Sequence, residues 1–465
     1  MSFIDWVDER FPLRKVWNEH LADYYAPKNF NFWYFFGSLA LLMLVNQIVT
    51  GVWLAMAYKP SAAEAFASIE YIMRDMDYGW LIRYMHSTGA SFFFIVVYLH
   101  MFRGLMYGSY RGPRELLWII GVIIYLVMMA TAFMGYLLPW GQMSYWGAQV
   151  IVNLFAAVPF GIGEPLSEWI RGDFVISDAT LNRFFALHFL LPFVLAALVF
   201  IHIVALHKVG SNNPDGIEIK KHKGEDGKPK DGIPFHPYYS VKDLFGVGVF
   251  LFFFAAVIFF APEMGGYFLE APNFEPANPL KTPDHIAPVW YFTPFYAMLR
   301  AVPPMFGSQF PGVMVMFASI LLFFFLPWLD RSPVKSIRYK MAKAKISLLL
   351  FALVFIWLGV LGVLASTPLR TLTAQVLTLL YFGFFLFMPV YSRAEKSVGV
   401  RLLLGTGITL LLLLTVIGYW LSLGMAVWAV GLGSLVIVGF TYYFLIEPGY
   451  RKAEATKPVP ERVSQ

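Results

Sequence analysis

Long apolar runs separated by short polar connections dominate the chain. They lie at about 31–58, 80–107, 115–137, 180–206, 243–261, 312–330, 346–366 and 372–391, with two more near 399–420 and 425–446. Each is long enough to cross a hydrocarbon core of about 30 Å as a helix. The pattern therefore predicts an all-α integral membrane protein with ten spans. Two connections depart from it. The one joining the third and fourth spans, 141–172, is too apolar for a solvated loop and reads as a short helix lying on the membrane face. The one joining the fifth and sixth, 278–303, is rich in proline and aromatic residues and reads as half-embedded. Long connections of that composition usually carry function.

Charge sets the orientation. Lys208, Lys220, Lys221, Lys223, Lys228, Lys230 and Lys242 crowd the fourth connection that follows a span. Arg331, Lys335, Arg338, Lys340, Lys343 and Lys345 crowd the sixth, and Arg103, Arg111 and Arg114 fill the second. With ten alternating spans all of these share one side with both tails, which predicts cytoplasmic termini. The opposite side holds Glu164, Glu168, Asp173, Asp178, Glu263, Glu270, Glu275 and Asp284. The net charge of +6 thus reads as a topology signal, and no nucleic-acid patch is expected. No cysteine is present, so the chain attaches no c-type haem and ligates no iron–sulfur cluster by thiolate. The N-terminus lacks an apolar core followed by a cleavage site, and no signal peptide is expected.

Nine histidines occur, four of them deep in apolar spans. His86 and His100 are fourteen residues apart in the second span, and His188 and His202 repeat that spacing in the fourth. Fourteen residues place both imidazoles of a span on one helix face, roughly 21 Å apart along the axis. A lone histidine in such a helix is more often a hydrogen-bonded core residue. Two pairs of identical spacing favour function, because ionisable groups inside a membrane are costly. Facing pairs of neutral imidazoles suit the axial positions of two haem irons. Gly37 and Gly51 in the first span, and Gly121 and Gly135 in the third, repeat the same spacing. They read either as helix packing or as places where a flat macrocycle presses in at the same two depths. Arg83 and Arg103 lie three residues outboard of His86 and His100. They read either as snorkelling side chains or as partners for haem propionates.

These features resemble cytochrome b of the ubiquinol:cytochrome c oxidoreductase, bacterial respiratory type. The likeness rests on GSYRGPRELLWIIGVIIYLVMMATAFMGYLLPWGQMSYWGA, LHKVGSNNPDG, PFHPYYSVKDLFG and TPDHIAPVWYFTPFYAMLR, and it extends to about residue 392. The equal spacing of the second histidine pair and the unsplit chain resemble the respiratory form rather than the chloroplast-type relative. The resemblance implies a four-helix bundle holding two b haems within 1–210, four further helices with a quinol-site connection within 211–392, and two extra helices with a tail within 393–465. It implies that His86 and His188 ligate a low-potential haem near the outer face, with Arg83 on its propionates. His100 and His202 would ligate a high-potential haem near the cytoplasm, with Arg103, Ser109 and Trp118 on its propionates. An inner quinone site would use His207, Lys242 and Asp243, although His207 also reads as an interfacial histidine. An outer quinol site would lie among Phe133, Tyr136, Gly147, Pro288, Trp290 and Tyr291.

The implied activity is a Q cycle in the bacterial inner membrane. Ubiquinol is oxidised at the periplasmic face, one electron passes through the two haems, and ubiquinone is reduced at the cytoplasmic face. The implied partners are a Rieske-type iron–sulfur protein, a membrane-anchored c-type cytochrome, lipid, and a second copy of the complex. Two rival classes fit the paired histidines alone: a two-haem anchor for a peripheral enzyme, and a transporter with a histidine proton relay. Two departures from the family pattern stand out. The outer-site motif Pro-Glu-Trp-Tyr is here Pro288-Val289-Trp290-Tyr291, which removes a proton-accepting carboxylate, and two extra spans follow Arg393. Asp284 and Glu164 are the candidate substitutes for that carboxylate, each also readable as a solvated loop acid. The extra spans read as lipid-facing packing or a subunit contact.

Overall fold

The structure, a computed structural model, describes residues 2–18, 22–305, 307–393, 424–443 and 456–464, with a few isolated positions between 409 and 421. Among them, eight helices are long and apolar enough to cross a membrane. After two short N-terminal helices the chain forms strand β1 (Tyr25–Pro27), then helix α1 (Phe35–Ala55), α2 (Ala65–Arg74), α3 (Gly79–Tyr107) and α4 (Glu115–Leu137). Helices α5 (Gln142–Ala156) and α6 (Gly163–Arg171) follow in the predicted surface connection. Then come α7 (Asp178–Val209), β2 (Gly232–Pro234), α8 (Ser240–Phe260), α9 (Thr293–Ala301), α10 (Phe310–Leu329), α11 (Ala342–Val363), α12 (Pro368–Leu386) and α13 (Val427–Thr441).

The apolar pattern located the first eight spans to within a few residues, and the third at its observed ends. Apolar length fixes a span because lipid offers backbone groups no other hydrogen-bond partner. The ninth predicted span, 399–420, lies almost wholly outside the described residues. The tenth appears as α13, fifteen residues long. It packs on α12: Trp420 is fully buried, a β-carbon on Gly433 would lie 2.5 Å from its ring, and its indole Nε1 donates to Gln375 of α12. These extra residues are therefore joined to the body of the protein and not merely strung beside it.

Helices α1 and α3 pack along each other, as do α4 and α7, and the two pairs form the bundle that carries the four deep histidines. In the second half, α9 is a short helix sunk among α10, α11 and α12, with most of its side chains buried. Its approach to α11 depends on Gly362, whose β-carbon would fall 2.1 Å from the Thr293 carbonyl oxygen.

The basic connections assemble on one face. Strands β1 and β2 pair antiparallel there, with Tyr25 opposite Pro234. Gly108 ends α3 at φ +66°, and a β-carbon there would strike the Lys335 carbonyl oxygen at 2.6 Å, so this turn needs glycine. Arg114 grips Glu218 with two nitrogens at 2.6 and 2.9 Å, and Lys335 adds a third contact at 2.5 Å. Burial opposes ionisation of Glu218, but those two cations outweigh it and hold its carboxyl below the usual range. The tail reaches the same face. Arg462 pairs with the fully buried Asp231 at 2.7 Å, and Ser464 donates to Asp215 at 2.7 Å. Both ends of the described chain thus share a face, as an even number of spans requires.

Candidate functional site: paired imidazoles and the adjoining cavity

The four deep histidines meet across the bundle in the two expected pairs. The ring centres of His86 and His188 are 6.0 Å apart, and those of His100 and His202 are 6.5 Å apart. An ion bound between two imidazoles, with metal–nitrogen bonds of about 2 Å each, needs ring centres roughly 6–6.5 Å apart. Both pairs fit an iron between them.

At the first pair the ring nitrogens are also sorted. His188 Nδ1 lies 2.8 Å from the Thr131 carbonyl oxygen. A carbonyl only accepts, so Nδ1 carries the proton and Nε2 keeps its lone pair. His86 Nδ1 lies 2.9 Å from Thr50 Oγ1, and that hydroxyl itself donates to the Asn46 carbonyl at 2.6 Å. It therefore accepts from His86, and His86 Nε2 is likewise left to bind a metal. Tying Nδ1 in this way orients a metal-binding imidazole. At the second pair, Arg103 Nη2 donates to His100 Nδ1 at 3.0 Å, which puts the ring proton on Nε2, so ligation by Nε2 requires Arg103 to give up this contact. The Arg103 guanidinium lies over Tyr34, and its Nε is buried without a hydrogen-bond partner. A buried guanidinium short of an acceptor fits a propionate neighbour.

The four glycines sit against the imidazoles. Each backs an imidazole. A β-carbon would lie 2.4 Å from His188 Cε1 at Gly135, 3.0 Å from His86 Cε1 at Gly51, 3.3 Å from His202 Cε1 at Gly121 and 3.4 Å from His100 Cε1 at Gly37. The approach is tightest at Gly135, where a side chain would displace the ring, and relaxes to an ordinary contact at Gly37. Two further residues expected at the second pair have these partners. Trp118 has one donor, and its Nε1 lies 2.8 Å from the Phe323 carbonyl oxygen, which accepts it. Ser109 Oγ accepts from Asn212 at 3.1 Å.

A cavity of about 480 Å³ opens beside the first pair. His86, His188, Gly51, Gly135 and Arg83 line one lobe; Tyr136, Asn273, Phe274, Val289 and Tyr291 line the other. Tyr291 stacks on Phe94 at 3.9 Å, and Gly147 leaves room beside the Tyr136 ring. Trp290 turns its Nε1 to Ser91 at 3.0 Å, Phe133 packs on Phe184, and Pro288 is half-buried beside Val289. The two acids expected to replace the missing glutamate are both exposed and absent from this wall: Glu164 in the first turn of α6, and Asp284. Glu270 is the acid that reaches Tyr136. Asn273 Nδ2 donates to Tyr136 Oη at 3.1 Å and to Glu270 Oε2 at 3.0 Å, which sets the phenol and the carboxyl beside each other. Burial holds the Glu270 carboxyl up at about 7, against the opposing pull of its own backbone N–H, Tyr136 and Asn273. Sequence reading counted Glu270 only as an outer-face charge.

The residues expected at an inner site lie on the basic face. His207, in the last turn of α7, stacks on Tyr24 at 4.4 Å, and Lys242 lies over Tyr239. Asp243 lies in the first turn of α8, near Ser38.

Comparison with known proteins decides the family. Residues 21–210 match the family described as cytochrome b/b6/petB, and 276–382 match cytochrome b(C-terminal)/b6/petD. Cytochrome b of Allochromatium vinosum is 72% identical over 85% of this chain and 96% of its own length. The chain belongs to the cytochrome b family. Cytochrome b of Rhodospirillum rubrum is 51% identical over 84% of this chain and 93% of its own. A solved hyperthermophilic respiratory Complex III contains a chain 41% identical with a TM-score of 0.77, covering 84% of this chain and 98% of that one. This cytochrome b is a multi-pass subunit of the respiratory quinol–cytochrome c reductase, and its family implies haem.

Proposed function

We propose that this cytochrome b carries two b haems at two depths, oxidises ubiquinol at its acidic face and reduces ubiquinone at its basic, cytoplasmic face. The observation that carries the reading is the geometry of the imidazoles: two pairs about 6 Å across, at two levels of one bundle, with Nδ1 of the first pair tied to protein oxygens. His86 and His188 hold the low-potential haem, with Arg83 at its propionates. His100 and His202 hold the high-potential haem, with Arg103. When bound, the haems supply a one-electron path across the membrane.

The protein's own groups do the rest. The second lobe of the cavity accepts the quinol between Tyr136, Tyr291 and Val289, where aromatic and apolar walls exclude water. On the basic face His207 and Asp243 can deliver the two protons that a reduced quinone takes up, and Lys242 offsets the developing negative charge. Because the chain has no cysteine, the other electron of each quinol leaves to a separate Rieske-type iron–sulfur protein, and from there to a membrane-anchored c-type cytochrome. The complex works as a homodimer in lipid, with both termini of this chain cytoplasmic.

The haem assignment is tested with His202→Leu. The cytoplasmic-side haem should disappear from the absorbance-monitored redox titration of the purified complex, while outer-side haem survives. Equal loss of both signals in folded, assembled complex would rule out separate sites. The residues beyond Arg393 supply a second expectation. Removing residues 398–447 and rejoining the tail should leave both haem spectra and electron transfer to cytochrome c intact, because among the described residues the contacts seen there reach α12, Phe387 beyond its end and Lys343 of α11, away from the histidine pairs and the cavity. Thermal tolerance should fall, since Gln375 loses its Trp420 partner. Loss of one haem or one quinone site would overturn an accessory role for these helices.

A further inference from the structure

Oxidising a quinol breaks two O–H bonds and releases two electrons and two protons. A cavity that performs this step needs a proton acceptor within reach. Among the described residues, the carboxylate on the cavity wall is Glu70, and Arg74 already claims it at 2.5 Å. Val289 offers no proton site. Behind the wall, Asn273 Nδ2 hydrogen-bonds both Glu270 and Tyr136 and holds the carboxyl and the phenol side by side, and the Tyr136 and Asn273 corners open into the cavity. Glu270 itself is only partly buried, and it lies on the connection that carries Glu263, Glu275 and Asp284.

We propose that Glu270 takes the place of the carboxylate missing at Val289 and accepts one quinol proton through Tyr136. This rests on the function proposed above. One quinol O–H proton passes to Tyr136 Oη as the Tyr136 proton passes to a Glu270 carboxylate oxygen. Asn273 donates to both groups and holds them in register. The other O–H proton departs at the far end of the quinol, toward the iron–sulfur acceptor, and the two electrons leave to the one-electron carriers of the complex. Glu270, now a neutral acid, releases its proton to water at the outer face. The titratable groups facing it are the Tyr136 and Tyr291 phenols, both of which sense its charge. A carboxyl held near 7 is poised to accept and release a proton close to neutral pH.

The test is Glu270→Gln in the intact complex, with quinol oxidation followed against pH at saturating ubiquinol. Wild type should speed up as pH rises through about 7, as Glu270 loses its proton. Glu270→Gln should lower kcat at least about tenfold, in the lower part of the range for acid–base groups. It should also flatten the rise across neutral pH and leave KM and both haem spectra unchanged. Glutamine keeps an oxygen for the Asn273 contact, and the haem spectra report assembly. The double variant Glu164→Gln, Asp284→Asn should behave as wild type. Three results would overturn the proposal: an unchanged rate and profile in Glu270→Gln, a lower rate with the pH rise intact, or an equal effect in the double variant. If the wild-type complex itself oxidises no quinol, the proposed function fails, which is a separate result.

Discussion

Gly135→Ala is expected to weaken or abolish haem binding at the outer pair while the inner haem persists. The added β-carbon would stand 2.4 Å from His188 Cε1, 2.8 Å from Nδ1 and 3.0 Å from Nε2. No carbon contact is that short, so the ring must move. It has little freedom to do so: Thr131, one helical turn before Gly135 on the same helix, holds its Nδ1 at 2.8 Å. Shifting the ring breaks that bond and takes Nε2 off the axis shared with His86. Overpacking a tight contact costs about 1–3 kcal/mol, a tenfold or greater loss of haem affinity at the upper end. The four alanine variants should rank by distance, with Gly135 most severe, then Gly51, Gly121 and Gly37. At Gly37 the β-carbon would meet His100 at 3.4 Å, an ordinary contact, and both haems should remain. Haem content and the redox titration of each purified complex read the ranking. Equal tolerance at all four positions would show that the glycines serve helix packing alone.

Lys340→Met should destabilise the basic face by about 3–5 kcal/mol, the cost of stripping one partner from a buried ion pair. Lys340 Nζ lies 2.6 Å from Asp330 Oδ2, their side chains are only 7% and 1% exposed, and Tyr110 donates to the same oxygen at 2.6 Å. Burial alone would raise the Asp330 carboxyl. Lys340, Arg111 and Tyr110 outweigh it and hold the group below the usual carboxylate range. A carboxyl depressed in the folded state adds stability above its unfolded value of about 3.9 and loses it as pH falls through the folded one. Without Lys340 the burial effect grows relative to the rest, so the deficit in Lys340→Met should shrink as pH drops from about 8 to about 5. Asp330→Asn combined with Lys340→Met should recover much of the loss, because the uncompensated charge is gone. Thermal aggregation of the detergent-solubilised complex, measured across pH, checks both statements. A deficit independent of pH would place the damage in packing rather than charge.

The repeating apolar runs were enough to locate eight spans, because in lipid a long apolar helix satisfies its own backbone and few alternatives exist. The histidine spacing was enough to put two imidazoles on one face of each helix at two depths, because helical periodicity is a property of one segment. Contacts between segments were not legible in this way. That Gly135 backs His188, that Thr131 sets its tautomer, and that Trp118 spends its one donor on Phe323 all depend on how helices far apart in sequence turn their faces to one another. The short surface helix α2 and the buried placement of α9 also escaped the apolar pattern, since neither is a span. Sequence proximity pointed to Asp284, five residues from Val289, as the replacement acid. The fold instead leaves Asp284 exposed and folds the connection so that Asn273 links Glu270 to Tyr136, across 137 residues of chain. Local pattern decides which segments enter the membrane; only packing among them decides which polar groups meet, because a buried donor or acceptor must take its partner from whatever segment the fold brings alongside.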